Sequence, residues 1–106
     1  MALTLDYSSI TADYSCSSGD TTIVVDTSTA PIQVTLPLAN TENGRVIIIK
    51  DSTGDAATNN ITVEAQSPET IEGYATLLMQ VNYGSVILAS TGSGESAPGW
   101  ALLSVI

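Results

Sequence analysis

Arg45-Val46-Ile47-Ile48-Ile49-Lys50 sets four consecutive β-branched apolar residues between the only two basic side chains of the sequence. Such side chains lose rotamer freedom in a helix and fit a pleated surface, so this stretch is a strand. On its N-terminal side, Ile32-Gln33-Val34-Thr35-Leu36 alternates apolar and polar with period two, a strand with one buried face that Pro37 ends or places at an edge. Thr21 to Asp26 has strand residue types and lies between two turn clusters, Ser17 to Asp20 and Thr27 to Pro31. On the C-terminal side, Asn60 to Ala65 alternates again, Thr70-Ile71-Glu72 is a short strand ending at Gly73, and Ala75 to Val81 is set between Gly73 and Asn82-Tyr83-Gly84. Ser85 to Ser90 and Trp100 to Ile106 complete the series. Turns are expected at Asn43-Gly44, over Asp51 to Asn60 and over Thr91 to Gly99.

About eight short strands at this spacing predict an all-β fold, a compact antiparallel β-sandwich or jelly-roll-like domain. The domain is expected over residues 21–106. Residues 1–20 read as an extended N-terminal arm, in which Asp-Tyr-Ser occurs at Asp6 and again at Asp13. A length of 106 residues fits one core. The richness in Thr, Ser, Val and Ile and the absence of Phe agree with strands rather than helices.

Eleven acidic against two basic residues give a formal charge of -9. That charge repels phosphates and anionic lipids, so neither nucleic acid nor membrane is expected as a partner. Histidine is absent, which removes the commonest general base and transition-metal ligand. Cys16 is the single cysteine and has no disulfide partner in the chain. No basic segment follows Met1, and no apolar run reaches the roughly 18 residues of a membrane span. Assembly in a cytoplasm is therefore expected.

Candidate chemistry is sparse. Asp51-Ser52-Thr53-Gly54-Asp55 with Asn59 and Asn60 clusters the oxygens a hard cation needs, but position 62 is Thr where an EF-hand has its bidentate glutamate, so a turn is the expected role and no metal or other cofactor is assigned. Glu64, Glu69 and Glu72 are close enough in sequence for an acid–base pair, yet Glu64 falls on the polar face of its strand, where it solubilises. Cys16 lacks an activating histidine and reads as a passive thiol. Asn60-Ile61-Thr62 is a glycosylation sequon that only a secretory route would use. Trp100 and Tyr83 are expected in the core, while Tyr7, Tyr14 and Tyr74 are candidates for stacking on a glycan.

The apolar runs carry a further expectation. Val46 to Ile49, Ile23 to Val25, Leu77 to Met79 and Val86 to Leu88 do not alternate, so each presents apolar side chains to both faces of its sheet. A second sheet covers one face, and another copy of the chain is expected to cover the other, with Val46, Ile47, Ile48 and Ile49 at the interface. Arg45 and Lys50, surrounded by surplus carboxylates, are expected to supply at least one salt bridge.

Val25-Asp26-Thr27, Val34 to Pro37, Gly44-Arg45 with Ile49-Lys50-Asp51, Asn59 to Val63, Thr70-Ile71 with Gly73, Tyr83 with Ser85-Val86 and Leu88, and Trp100 together resemble a small β module of tailed-bacteriophage structural proteins, notably tail fibres and related surface proteins. The resemblance runs from about Ile10 to the end. It implies a non-enzymatic virion protein, typically threefold, in contact with other virion proteins. Without a collagen-like or heptad stalk in the sequence, a capsid decoration or head-fibre protein is expected as readily as a tail-fibre module. The alternative it implies is a receptor-binding fibre tip that recognises host-surface glycans.

Overall fold

The structure is a computed structural model that describes residues 7–17, 19–39, 45–91 and 99–106. Ten strands are described: β1 (Tyr7–Ile10), β2 (Tyr14–Ser15), β3 (Thr22–Val25), β4 (Ile32–Thr35), β5 (Val46–Asp51), β6 (Ile61–Glu64), β7 (Thr70–Ile71), β8 (Thr76–Met79), β9 (Ser85–Ser90) and β10 (Gly99–Val105). They form a six-stranded sheet in the order β1-β3-β5-β9-β10-β7 and a four-stranded sheet in the order β2-β4-β6-β8. The all-β sandwich expected from the pattern is the observed architecture. The Asn43-Gly44 turn, most of the Thr91 to Gly99 turn, the first Asp-Tyr-Ser at Asp6 and the side chain of Tyr7 lie outside the described residues.

The pairing departs from the antiparallel sandwich or jelly roll. Among the described pairs, β1 with β3, β3 with β5, β2 with β4, β4 with β6 and β10 with β7 run parallel. Only β5 with β9, β9 with β10 and β6 with β8 run antiparallel. The reason is the path of the chain. From β1 to β6 it alternates between the sheets, so each return to a sheet adds a strand in the same direction and the first six strands wind as three stacked coils. Of the remaining strands, β8 and β9 fold back antiparallel on β6 and β5, β10 runs antiparallel to β9, and β7 runs parallel to β10. The segment read as an arm contributes the first coil, with β1 and β2 each at a sheet edge.

Between the sheets the core follows strict alternation. Ile23 and Val25, Ile47 and Ile49, and Val86 and Leu88 point inward from the six-stranded sheet, against Ile32, Val34, Ile61 and Val63 from the other. Trp100 is buried with them, and its indole N–H donates to the Pro37 carbonyl at 3.3 Å. Tyr83 does not join the core as expected: it is 60% exposed, because it sits in the turn between β8 and β9. No helix among the described residues is long and apolar enough to cross a membrane.

Candidate assembly surface

Asp51 ends β5 with its carboxylate fully buried. Oδ1 accepts from the Thr27 hydroxyl at 2.7 Å and from the Thr53 and Gly54 amides at 3.3 and 3.2 Å. Oδ2 accepts from the Ala56 amide at 3.1 Å and the Tyr83 amide at 3.0 Å. Burial pushes this carboxyl's pKa up, but the bonds from Thr27, Tyr83, Ala56 and Gly54 outweigh it and hold the pKa below the usual value. N–H and O–H groups occupy the positions around both oxygens that a cation would take, so the loop is a hydrogen-bonded turn. No cluster of three or more acidic, Cys or His side chains able to hold a metal ion occurs among the described residues.

The other candidates divide by position. Asp20, also buried, accepts from the Ser8 and Tyr14 hydroxyls at 2.9 and 2.6 Å and from the Ser17 amide at 2.8 Å, which ties the first coil together. Glu69 is buried and accepts from the Ala39 amide at 2.6 Å. Glu72 accepts from the Leu102 amide, and Glu64 from the Gln33 side chain; each is thus committed to a separate contact. Burial, with the nearby Asp20 charge, pushes the Cys16 thiol up to about 12 against the opposing effect of Arg45. In the sequon, Ile61 is fully buried and the Asn60 Oδ1 is enclosed.

Tyr14 and Tyr74 are not neighbours. Tyr14 lies on β2 at one edge of the four-stranded sheet, whereas Tyr74 lies in the turn before β8 at the opposite edge and is 73% exposed. Arg45 donates to the Ser17 and Asp20 carbonyls, each at 2.6 Å, and Lys50 donates to the Tyr83 carbonyl while its ammonium lies 5.7 Å from the centre of the Tyr83 ring.

The outer faces of the two sheets differ in character. On the four-stranded sheet, Gln33, Thr62, Thr35, Glu64 and Thr76 point away from the core, with Leu78 the apolar exception. On the six-stranded sheet, the outward residues are the alternate members of the apolar runs. Val24, Val46, Ile48, Ile87, Ala89 and Ala101 share this face. Register makes five of them contiguous: Ile48 sits beside Ile87, Val46 beside Ala89, and Ala89 beside Ala101, while Val24 sits beside Lys50. Lys50, beside Val24, points to the same face, and the exposed Glu72 borders it next to Ala101 at the β7 edge. Of the four residues expected at an interface, Val46 and Ile48 are therefore available, while Ile47 and Ile49 are wholly taken up by the core of the chain itself.

A second apolar feature lies between β8, the β8–β9 turn and the end of β10. It is a cleft of about 140 Å³ bounded by Leu77, Met79, Val81, Val86, Val105 and Ile106, and no ionisable side chain lines it. Sequence reasoning missed it because Val105 and Ile106 read as the close of a buried strand, whereas the register of β10 shifts between Leu102 and Ser104 and Val105 is exposed.

Over residues 6–101 the sequence matches the family described as Bacteriophage T4 gp9/10-like protein, N-terminal. No curated protein matches the chain.

Proposed function

Because the chain belongs to the T4 gp9/10-like N-terminal family and is thus a small bacteriophage structural module, we propose that it works as a homotrimeric, non-enzymatic protein displayed on the virion, as a capsid decoration or fibre component. The observation that supports this most is the contiguous apolar outer face around Val46, Ile48 and Ile87. In a chain of charge -9, an apolar sheet face invites cover by protein rather than water. The choice of three copies over two rests on the fibre-type resemblance, since twofold symmetry is otherwise commonest. Arg45 borders the face and Lys50 lies on it, and at least one of them also meets a carboxylate, within the chain or across the subunit boundary.

Native mass spectrometry is expected to give roughly 33 kDa, three times the chain mass. Ile48→Asp should leave a folded monomer, because it places an unpaired carboxylate in the contact. Thr62→Asp, on the polar outer face of the other sheet, should leave the mass unchanged. A monomeric wild-type chain at micromolar concentration, or equal effects of the two substitutions, would overturn the proposal. Purified particles should contain the polypeptide.

The exposed ring of Tyr74 favours a second reading, a receptor-binding module for host glycans. A glycan array probed with the intact oligomer is expected to show hits that Tyr74→Ala removes, and an array without hits would end that reading.

A further inference from the structure

We infer that the first coil, residues 7–17, is a strap fastened by the Asp20 carboxylate: when that carboxylate is protonated the coil comes off β3 and β4 as a unit, and the rest of the fold stays closed. The strap belongs to the single chain and does not depend on the assembly proposed above. Register shows why the first coil needs a fastening that the others do not. Ile23 of β3 stands beside Ile49 of β5, and Val34 of β4 beside Val63 of β6, so the second and third coils close on stacked apolar side chains. The same two positions in the first coil are Ser8 and Tyr14. Their hydroxyls turn to Asp20, Ser8 donating to Oδ1 at 2.9 Å and Tyr14 to Oδ2 at 2.6 Å, while the Ser17 amide donates to Oδ2 at 2.8 Å. One buried carboxylate thus joins β1, β2 and the turn after them. Among the described residues, Ile10 is the only buried apolar side chain that the coil gives to the core, and β1 and β2 each have one neighbouring strand.

The charged and titratable groups around the fastening leave Asp20 as the responsive one. Arg45, at the start of β5, holds the Ser17 and Asp20 carbonyls, and an arginine keeps its charge throughout. Tyr14, pushed up by its hydrogen bond to Asp20, and Cys16, pushed up by burial, both keep their protons. Asp13 gives the coil a second, exposed tie, its carboxylate accepting from the Gln33 amide at 2.8 Å. Burial pushes the Asp20 pKa up, but the bonds from Tyr14, Ser17 and Ser8 outweigh it and hold the value below that of an ordinary aspartate. The fastening is therefore complete above the ordinary value and is lost as pH falls through the folded one.

The test follows amide exchange by NMR in the full-length chain, corrected for the intrinsic rate at each pH. The Cys16 amide donates to the Thr35 carbonyl and the Asp26 amide to the Ile10 carbonyl, so both report the strap. The Leu36 amide, on the Glu64 carbonyl, and the Ser52 amide, on the Val25 carbonyl, report the joint between the second and third coils. At neutral pH, Asp20→Asn should speed exchange at Cys16 and Asp26 by one common factor, roughly ten- to hundredfold, while Leu36 and Ser52 keep the wild-type rates. Dithiodipyridine should reach the Cys16 thiol faster by the same factor. Tyr14→Phe, which removes one donor, should act in the same direction by about tenfold. In the Asp13→Asn chain, whose amide oxygen still accepts from Gln33, lowering the pH from about 7 to about 3 should loosen Cys16 and Asp26 before Leu36 and Ser52. If Asp20→Asn does not fold, Tyr14→Phe and the acid series decide by the same criteria. Exchange rising together at all four amides would show global unfolding and overturn the inference, as would unequal factors at Cys16 and Asp26 or unchanged rates at both.

Discussion

Asp51 gathers the start of the β3–β4 turn, the loop after β5 and the β8–β9 turn onto one carboxylate through Thr27, Gly54, Ala56 and Tyr83. Replacing it with Asn puts an amide among donors and should cost about 2 to 4 kcal/mol, read as a lower urea midpoint. The folded-state pKa values of Asp51 and Asp20 lie below the ordinary aspartate value. Their contribution to stability is therefore fully present above that value and is lost as pH falls through the folded values. The urea midpoint should stay flat from neutral pH to about 5 and fall below about 4, and Asp51→Asn should flatten the fall. A wild-type midpoint unchanged at pH 3 would contradict this. Cys16 offers a second check. With its pKa near 12, only about one thiol in ten thousand is ionised at pH 8. Ellman's reagent should react slowly with the folded chain and promptly in denaturant; equal rates would show the thiol to be unprotected.

At the scale of elements, two glycines separate strain from crowding. Gly54 and Gly73 both have positive φ, 86° and 88°, but a Cβ on Gly54 would lie 2.4 Å from the Tyr83 ring while one on Gly73 would meet nothing within 4 Å. Gly73→Ala should cost about 1 to 2 kcal/mol from backbone conformation alone. Gly54→Ala should cost more and shift the Tyr83 ring resonances; equal losses would mean the ring swings aside freely. The alternation of Ile32, Val34 and Leu36, and of Ile61 and Val63, made β4 and β6 legible because their outward residues are polar. In β3, β5 and β9 both faces are apolar, so the sequence could not tell Ile47 from Ile48, and only the partner sheet assigns one to the core. Pairing direction was hidden too. Tyr7 pairs with Thr22 but Thr22 pairs with Ile48, so the coils differ in length and leave no fixed period to detect. In the Asp51 loop the turn was readable, but Tyr83 as a donor to it was not, since that contact spans the chain between two distant loops.

For the whole molecule, charge and assembly oppose each other. Copies bearing -9 each repel at long range, while the assembly proposed above would draw on apolar contact, which acts only at short range. Raising salt from about 0.02 to 0.5 M shortens the screening length and should tighten the oligomer, seen as a lower dissociation midpoint in sedimentation; weakening instead would mean that ion pairs dominate the contact. Under mechanical load the two ends of the chain are unequal. β1 and β2 each hold a single neighbour, so tension entering beside them peels the first coil one ladder rung at a time. β10 is gripped by β9 on one side and β7 on the other, and tension along it must shear both ladders at once. A subunit held by its C-terminal strand and pulled from the other end yields its first coil as a fuse, while the layer around Trp100 stays closed.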